Sequence, residues 1–380
     1  MEPPVTEPGP AASDHLSAPA ASDRLPGPAP EAPPEDTVSL GRRLRQPKTI
    51  LSIVVPIALT LLVFQLAFKL DVSTLVQGVQ QANKLWLLVA FVVFYAGFPL
   101  RGYRWARILA ATRFRLHTGD ATEILFLSWL VNCLVPAKLG DVYRAYLLKL
   151  NAPAASLSRT FGTVFIERLL DIFAIATLGL AAGFWSFRNG LPSEIQYVTV
   201  LGIGVVVALV ALLLTLRNFG RGLLVRLHVP HRFVELYDKF EEGVFGAIGP
   251  RQLPPLVVLT VMIWATEGLR FFFVVKALGY PGVDLGLSGS FFVALIGSLL
   301  TAVPLSPAGL GTVELGVAFV LTTAYGVPSG QAATIVIVDR VISVFSIVVL
   351  GGLLYAVSGK RRGAGLAPDS GPTGDALAPA

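Results

Sequence analysis

The sequence predicts an all-α protein that crosses the membrane several times, and three features support this fold class. Hydrophobic residues make up 54% of the 380 residues and charged residues only 14%, a balance unusual for a soluble domain. Apolar runs long enough to cross a bilayer recur along the chain. Two such runs, 131–150 and 297–319, are interrupted by proline, glycine and charged residues, as in transporter cores. We expect about six full spans and two broken or re-entrant helical hairpins, or about eight spans if the second hairpin crosses.

The composition argues against several classes of function. Cys133 is the only cysteine, and the four histidines are scattered, so neither an internal disulfide nor a metal site is expected. The sequence contains no Walker A motif, which argues against ATP hydrolysis. The formal net charge of +6 comes with basic residues that lie beside apolar runs, where they set membrane orientation. We therefore predict no metal, no cofactor and no nucleic-acid partner.

The N-terminal region is predicted to be a disordered cytoplasmic tail over residues 1–48, rich in proline and alanine and basic near the membrane. A first span over 50–68 follows this basic end, which places the N-terminus in the cytoplasm. A second span runs from Leu85 to about Leu100. It leads into a group of arginines that we assign to the cytoplasmic side. These arginines are Arg101, Arg104, Arg107, Arg113 and Arg115.

The first interrupted run is predicted to form two short helices, 121–135 and 139–150, that enter the membrane and return to the cytoplasm. Irregular backbone at membrane depth is tolerated only inside protein or beside water. A long helix over 159–187 then crosses outward, and a span over 198–216 returns. The connection that follows contains an amphipathic helix from Phe233 to Val244.

The second half of the chain starts with an outward span from Leu253 to Leu278, followed by the second interrupted run. A last span over 332–357 returns to a basic cluster at 360–362. We therefore expect both termini in the cytoplasm, a transmembrane domain over 49–358 in the plasma membrane, and a disordered tail over 359–380.

Two helices of the sequence are similar and are predicted to have opposite orientations. Residues 166–179 align with 338–351, and charged as well as apolar positions agree. We therefore predict an inverted repeat with units at about 50–187 and 198–357, whose rocking could expose one site to each leaflet in turn. The matched positions include Glu167 with Asp339, Arg168 with Arg340, Arg101 with Arg270, and Gly140 with Gly311.

Ionisable residues inside apolar spans are costly and usually face a cavity or a partner. Arginine forks can bind a phosphate bidentately, and helix N-termini add N–H groups and a positive dipole end. The predicted phosphate-binding residues are Arg144, Arg168, Arg340, Arg270, Asn132 and Lys138. The predicted charge-balancing or proton-coupling residues are Glu167, Asp171, Glu314, Asp339 and Asp141. The predicted re-entrant breaks are Pro136, Gly140, Pro304, Pro307, Gly309 and Gly311.

A structural role for the same charges is the alternative. Arg168 and Asp171 are three residues apart on one predicted helix, as are Glu267 and Arg270, so each pair could meet on a shared face. Such pairs could be salt bridges that join helices and bind no ligand.

Four segments carry a family resemblance: Arg104-Trp105, 132–144, 165–171 and 304–314. On these motifs the chain resembles, over about 50–357, the transmembrane region of lysylphosphatidylglycerol synthases, the flippase-like domain proteins. The resemblance implies movement of a lipid between leaflets. It gives no support to lysyl transfer, because the sequence continues after the membrane region only into the predicted tail.

One motif departs from the family pattern: Gly140-Asp141 stands where the family commonly has Gly-Glu, which keeps the charge on a shorter side chain. We predict an integral membrane lipid translocase, without enzymatic activity, for a phosphate-bearing lipid or a polyprenyl-phosphate glycolipid. One alternative is a membrane-embedded lipid-phosphate transferase with Glu167 or Asp171 as general base. The other is a non-transporting membrane partner of a glycosyltransferase, docked through the helix at 233–244. The expected partners are membrane lipids and, in the last case, a membrane enzyme.

Overall fold

The computed structural model describes residues 72–135, 138–188, 230–246, 249, 251–301 and 306–372, with isolated positions at 58, 62, 196 and 200 and between 202 and 226. The predicted tail over 1–48 lies outside the described residues, as do the break residues Pro136 and Pro304. The predicted spans over 50–68 and 198–216 also lie outside them, apart from the isolated positions.

Within these residues the chain is almost entirely helical. The helices of the first half are α1 (Val72–Gln81), α2 (Lys84–Ala111), α3 (Thr118–Leu134), α4 (Leu139–Asn151) and α5 (Leu157–Ser186). Those of the second half are α6 (His231–Phe245), α7 (Leu253–Leu278), α8 (Gly286–Leu300), α9 (Thr312–Ala324), α10 (Ser329–Arg340) and α11 (Ser346–Val357).

Short elements connect or follow the helices. A 3₁₀ turn, Pro307–Gly309, precedes α9, and a π-helical turn, Val341–Phe345, joins α10 to α11. A second 3₁₀ turn, Lys360–Arg362, follows α11. Two short strands, β1 (Phe114–Arg115) and β2 (Gly371–Pro372), pair antiparallel.

Four helical stretches of the described residues are long and apolar enough to cross a membrane. They are Lys84–Ala111, Leu253–Leu278, Pro307–Tyr325 and Ser329–Val357. The predicted fold class of a mostly helical protein with membrane-spanning helices is therefore confirmed. The number of spans, their orientation and the inverted repeat stay predictions.

Helices α2 and α7 pack along each other at the centre of the described helices. The hydrophobic core there includes the buried rings of Phe94 and Phe271. The start of α2 is capped by Asn83, whose side chain accepts a hydrogen bond from the Leu85 backbone N–H at 3.0 Å. Helix α7 begins with two prolines and ends at Gly279, whose positive φ of 54° suits glycine.

The second predicted span is longer than expected, because α2 continues past Leu100 to Ala111. Arg101 and Arg104 therefore lie within the helix and are only 4% and 1% exposed. Their assignment to the cytoplasmic side of the membrane stays a prediction. Burial of these guanidinium groups is possible because carboxylates of α5 and α7 neutralise them.

The two short helices predicted for the first interrupted run are present as α3 and α4. Their re-entrant course through the membrane stays a prediction. Between them, Lys138 adopts a left-handed conformation with φ 51°, and Asn132 accepts a hydrogen bond from the Gly140 N–H at 2.8 Å. A Cβ on Gly140 would overlap the Ser128 carbonyl oxygen. The glycine therefore allows α4 to approach α3 at the break.

The second interrupted run turns in a different way. Helix α8 ends at Leu300, and α9 begins only after Ala308, Gly309 and Gly311, which have φ values of 51°, 72° and 86°. Glycine adopts such positive φ values without the steric cost that other residues pay. The predicted breaks at Gly309 and Gly311 are therefore places where the backbone needs glycine.

The segment after α11 is ordered where the sequence predicts a disordered tail. Residues 359–372 lie across the outer ends of α3 and α4: Lys360 pairs with Asp120 at 2.8 Å, and Asn151 accepts a hydrogen bond from the Gly365 N–H at 3.1 Å. Asp120 also accepts from the Ala367 N–H at 2.7 Å. These contacts compensate the entropy of ordering a glycine-rich segment. Residues 373–380 lie outside the described residues.

Candidate functional site

A cavity of about 360 Å³ lies between the two halves of the protein. Side chains of α2, α3, α4 and α5 line it from the first half, and side chains of α7 to α10 line it from the second. Its volume lies at the small end of the range for small-molecule sites, about 300–1,000 Å³. It can therefore hold a small polar group but not a molecule with long hydrocarbon chains.

The walls of this cavity are highly charged for a helical core. Among the described residues, six arginines and six carboxylates lie in or directly beside it, and each arginine pairs with at least one carboxylate. Buried charges of one sign would be very costly, so this matching lowers the cost of burying these groups. The arginines are Arg101, Arg104, Arg144, Arg168, Arg270 and Arg340.

The first-half arginines pair with carboxylates of α4 and α5. Arg168 holds Asp141 with a fork, its Nε and Nη2 donating to the two carboxylate oxygens at 2.9 and 2.6 Å. Arg144 Nη1 lies 2.6 Å from Glu167 Oε2. Arg104 spans two carboxylates, Glu167 at 3.0 Å and Asp171 at 2.7 Å. A single network thus joins α2, α4 and α5.

The second-half network also consists of arginine–carboxylate pairs. Arg340 donates through Nε to Glu314 Oε1 at 2.7 Å. Arg270 pairs with Asp339 and with Glu267, the latter at 3.2 Å. Arg101 of α2 donates to Glu267 at 2.6 Å, so this network reaches into the first half.

Lys138 is the cation left over from this matching. It lines the cavity at the residue before α4, and no ion pair joins it to a carboxylate among the described residues. Because six arginines face six carboxylates, Lys138 leaves the cavity with one surplus positive charge. An anion that enters the cavity would neutralise it.

Several arginines in the network also keep unused N–H groups. Buried nitrogen atoms without a hydrogen-bond partner among the described residues include Nε and Nη2 of Arg144 and Nη1 of Arg101. Arg144 lies over the Trp105 ring at 4.9 Å, and Arg101 lies over the Trp129 ring at 4.8 Å. Stacking fixes these guanidinium planes, so that a ligand would meet donors already in place.

The structure brings most of the predicted site residues together around the cavity. Glu314 does not line the cavity but pairs with Arg340, which does. Gly140 lies in the first turn of α4, and Pro307 and Gly311 lie in the turn before α9. The roles predicted for all these residues stay predictions. The predicted residues that line the cavity are Asn132, Lys138, Asp141, Arg144, Glu167, Arg168, Asp171, Arg270, Gly309, Asp339 and Arg340.

Both ion pairs expected from spacing alone are present: Arg168 lies 3.7 Å from Asp171, and Arg270 lies 3.2 Å from Glu267. They belong to larger networks of ion pairs that also join different helices. Such networks are what we expect if the charges have only a structural role.

Sequence reasoning missed Arg101, Arg104 and Trp264 as cavity residues. Trp264 donates its indole N–H to Asp171 at 3.0 Å. Two features of the sequence could have identified the arginines: Arg101 aligns with Arg270, and Arg104 belongs to the Arg104-Trp105 motif. Trp264 had no comparable signal, because its contact with α5 depends on helix packing.

The carboxylates of the site are arranged for arginine and not for a metal ion. Among the described residues, no group of three or more His, Cys, Asp or Glu side chains could hold a metal.

The sequence matches the family model described as the lysylphosphatidylglycerol synthase transmembrane region over residues 50–351. A UPF0104 membrane protein of Methanocaldococcus jannaschii is 36% identical over 231 residues, which are 60% of this chain and 93% of that protein. A UPF0104 membrane protein of Methanothermobacter thermautotrophicus is 26% identical over 314 residues, covering 77% of this chain and 89% of that protein. The glycosyltransferase AglD of Haloferax volcanii is 28% identical over 341 residues, but they span 80% of this chain and only 53% of AglD.

Proposed function

This chain is a membrane protein of the lysylphosphatidylglycerol synthase transmembrane-region family, and we propose that it moves a phosphate-bearing lipid between the leaflets of a plasma membrane. The phosphate and headgroup enter the charged cavity while the hydrocarbon chains stay in the bilayer. Both termini are cytoplasmic in this proposal, and the protein catalyses no chemical step. The observation that carries the proposal is Lys138, which has no carboxylate partner among the described residues, in a cavity whose arginines all have one.

The phosphate binds first to Lys138 and to the unused Nε and Nη2 of Arg144. Arg168 is the next contact, because its side chain is 30% exposed and its fork could pass from Asp141 to a phosphate of similar geometry. In the empty state the carboxylates keep the arginines from standing as unpaired buried charges. Binding therefore replaces Asp141 by the phosphate as the partner of Arg168, and every arginine keeps an anionic partner.

Arg340 has a different part in this proposal. Its partner Glu314 is buried with a side chain only 1% exposed, so a phosphate cannot replace that carboxylate without dismantling the start of α9. We assign Arg340 to holding α9 in place, and Arg144 and Arg168 to the ligand.

A non-transporting partner of a glycosyltransferase is the second candidate, because a relative with 28% identity is itself named a glycosyltransferase. The predicted docking helix is present as α6, but part of its apolar face already packs against α5: Val244 is buried, and Phe240 contacts Phe165 with ring centroids 5.5 Å apart. Phe233 and Leu236 remain exposed and could contact an enzyme. Stable co-purification of such an enzyme would favour this candidate.

The test is transport of phospholipid in liposomes containing the purified protein. Acyl-labelled phosphatidylglycerol is placed in both leaflets, and a membrane-impermeant quencher reports how fast inner-leaflet label reaches the outside. We expect protein-dependent exposure that falls roughly tenfold or more in Lys138→Gln, the loss of one charge-assisted contact.

Lys149→Gln is the matched control, because Lys149 lies at the far end of α4, the helix that Lys138 precedes, and is exposed there. It should transport like the unmodified protein. The proposal fails if no phosphate-bearing lipid is moved, or if Lys138→Gln is as fast as Lys149→Gln.

A further inference from the structure

We infer that two helix contacts, α5 with α8 and α11 with α3, are the gates of the cavity, and that each controls access from one end of the protein. This inference rests on the proposed function, since a phosphate that crosses the membrane must enter and leave the cavity at opposite ends. Two matching rows of side chains lead to it, one on α5 and one on α11.

The row on α5 leads from the cavity to the end of the helix. Ile172 lines the cavity. Two turns further, a Cβ on Gly179 would lie 3.7 Å from the Leu295 Cβ of α8. After two more turns, the Ser186 hydroxyl shares a hydrogen bond with the Tyr325 hydroxyl at 2.9 Å. Residues seven apart lie on nearly the same helix face, so this face opens onto the cavity and is then closed by the second half of the protein.

The row on α11 repeats this arrangement at the same intervals of seven residues. Val344, in the π-helical turn before α11, lines the cavity. A Cβ on Gly351 would lie 3.0 Å from the Leu130 Cβ of α3. Ser358, which follows α11, donates a hydrogen bond to the Glu123 carboxylate of α3. This row is therefore closed by the first half of the protein.

Aromatic rings strengthen the contact at the end of α5. The Phe187 ring centroid lies 5.4 Å from that of Phe292 in α8 and 5.3 Å from that of Tyr325. A Cβ on Gly183 would lie only 2.8 Å from the Phe292 ring, so glycine allows α5 to approach α8 here. The described cavity lining on α8 reaches Ala294, and the rings begin beyond it.

The two contacts lie at opposite ends of the protein. The end of α11 is close to the end of α4, because Asn151 donates a hydrogen bond to the Lys360 carbonyl at 2.6 Å. Helix α5 begins shortly afterwards, at Leu157, so its start lies at this same end. Its 30 residues extend for about 45 Å, which places Ser186 at the other end. Each contact therefore closes the route to one end.

An engineered disulfide tests the gate between α5 and α8. Disulfides join Cβ atoms that are about 3.5–4.5 Å apart, so the 3.7 Å separation permits one in a variant with Gly179→Cys and Leu295→Cys. The pair is combined with Cys133→Ala, which removes the only native cysteine. We expect oxidation to abolish the movement of phosphatidylglycerol in the liposome assay and reduction to restore it.

The control for this disulfide is Leu295→Cys with Cys133→Ala, whose transport should not respond to the oxidant. Equal transport by the oxidised and the reduced double-cysteine protein would overturn the gate between α5 and α8.

Labelling of Cys133 tests both gates without measuring transport. This thiol is buried and lines the cavity, so its reaction with a water-soluble maleimide reports how often the cavity opens. Gly179→Val and Gly351→Val insert a branched side chain into the two contacts and should each raise the labelling rate severalfold. Gly352→Val is the control, because a Cβ there meets no atom within 4 Å, and it should react like the unmodified protein. An unchanged rate in either contact variant would remove that gate.

The outcomes separate the gates from the proposed function. If the reduced protein moves no phosphate-bearing lipid but the labelling rates change as expected, the proposed function fails and the gates stand. If lipid is moved regardless of oxidation and the labelling rates stay unchanged, the gates fail and the proposed function stands.

Discussion

Each half of the protein contains an arginine–carboxylate pair at the cavity, and the two pairs lie in different environments. In the first half, Arg168 and Asp141 meet at the cavity surface with side chains 30% and 15% exposed. In the second half, Arg340 and Glu314 are 11% and 1% exposed, and Glu314 also accepts a hydrogen bond from the Gly311 N–H at 2.6 Å. Glu314 is therefore part of the N-terminal cap of its own helix, whereas Asp141 is held by arginines alone.

This difference shows that two arginine–carboxylate pairs in one protein need not have the same role. The first-half pair can exchange a carboxylate for a ligand, because both groups reach the cavity. The second-half pair is more enclosed, so its carboxylate stabilises α9, and its arginine also donates to the Ala308 carbonyl at 3.2 Å. Three sets of variants test whether the two halves differ in stability and in their role in transport.

The largest effect is expected from Glu314→Gln. It leaves Arg340 as an uncompensated buried charge and weakens the cap of α9, so we expect a loss of about 3–5 kcal/mol in stability. Asp141→Asn should cost roughly 1–2 kcal/mol, between the values for buried and exposed pairs. Thermal unfolding midpoints of the purified variants in detergent measure the two losses. If Asp141→Asn destabilised the protein as much as Glu314→Gln, the asymmetry would be wrong.

The matched glycines give an intermediate effect and separate two physical causes. Gly140→Ala overlaps the Ser128 carbonyl and pushes α4 from α3, and Gly311→Ala strains a backbone with φ 86°. Each should cost roughly 1–3 kcal/mol. Only Gly140→Ala should also slow lipid transport, because α4 carries Lys138 and Arg144.

Gly352→Ala is the control for both glycine variants. A Cβ at this position in α11 meets no atom within 4 Å, so alanine should stabilise the helix by roughly 0.5–1 kcal/mol. A comparable loss of stability in Gly352→Ala would show that helix glycines are generally sensitive in this protein, and the specific explanation would fail.

The smallest effect concerns the segment 358–372, which covers only the first-half hairpin among the described residues. Asn151→Ala removes hydrogen bonds to the Lys360 carbonyl and from the Gly365 N–H. We expect local opening with a global loss below about 1 kcal/mol. Limited proteolysis should show faster cleavage after residue 358, with an unchanged rate in Thr323→Ala on the exposed end of α9. No change in cleavage would mean that other contacts hold this segment.

Much of the fold was predictable from local patterns. Leu253–Leu278 was predicted with the bounds of α7, and the half-helices at 121–135 and 139–150 correspond closely to α3 and α4. Proline, glycine and apolar length act within a few residues of where they stand, so the sequence alone indicates where such helices begin and end. The helix that contains the second predicted span continues past its arginines to Ala111, although arginines normally mark the membrane surface.

The sequence by itself determined that charged residues occur inside apolar helices and that Arg168–Asp171 and Glu267–Arg270 share helix faces, because three residues make nearly one turn. Only the tertiary structure decided which arginine meets which carboxylate across helices. Those partners are far apart in the chain, and their contact depends on how the helices pack. The same packing buries Arg101 and Arg104, encloses Glu314, and leaves Lys138 as the cation without a carboxylate partner in the described cavity lining. A charge count from the sequence could not identify that residue, because the surplus appears only after every other pair has formed.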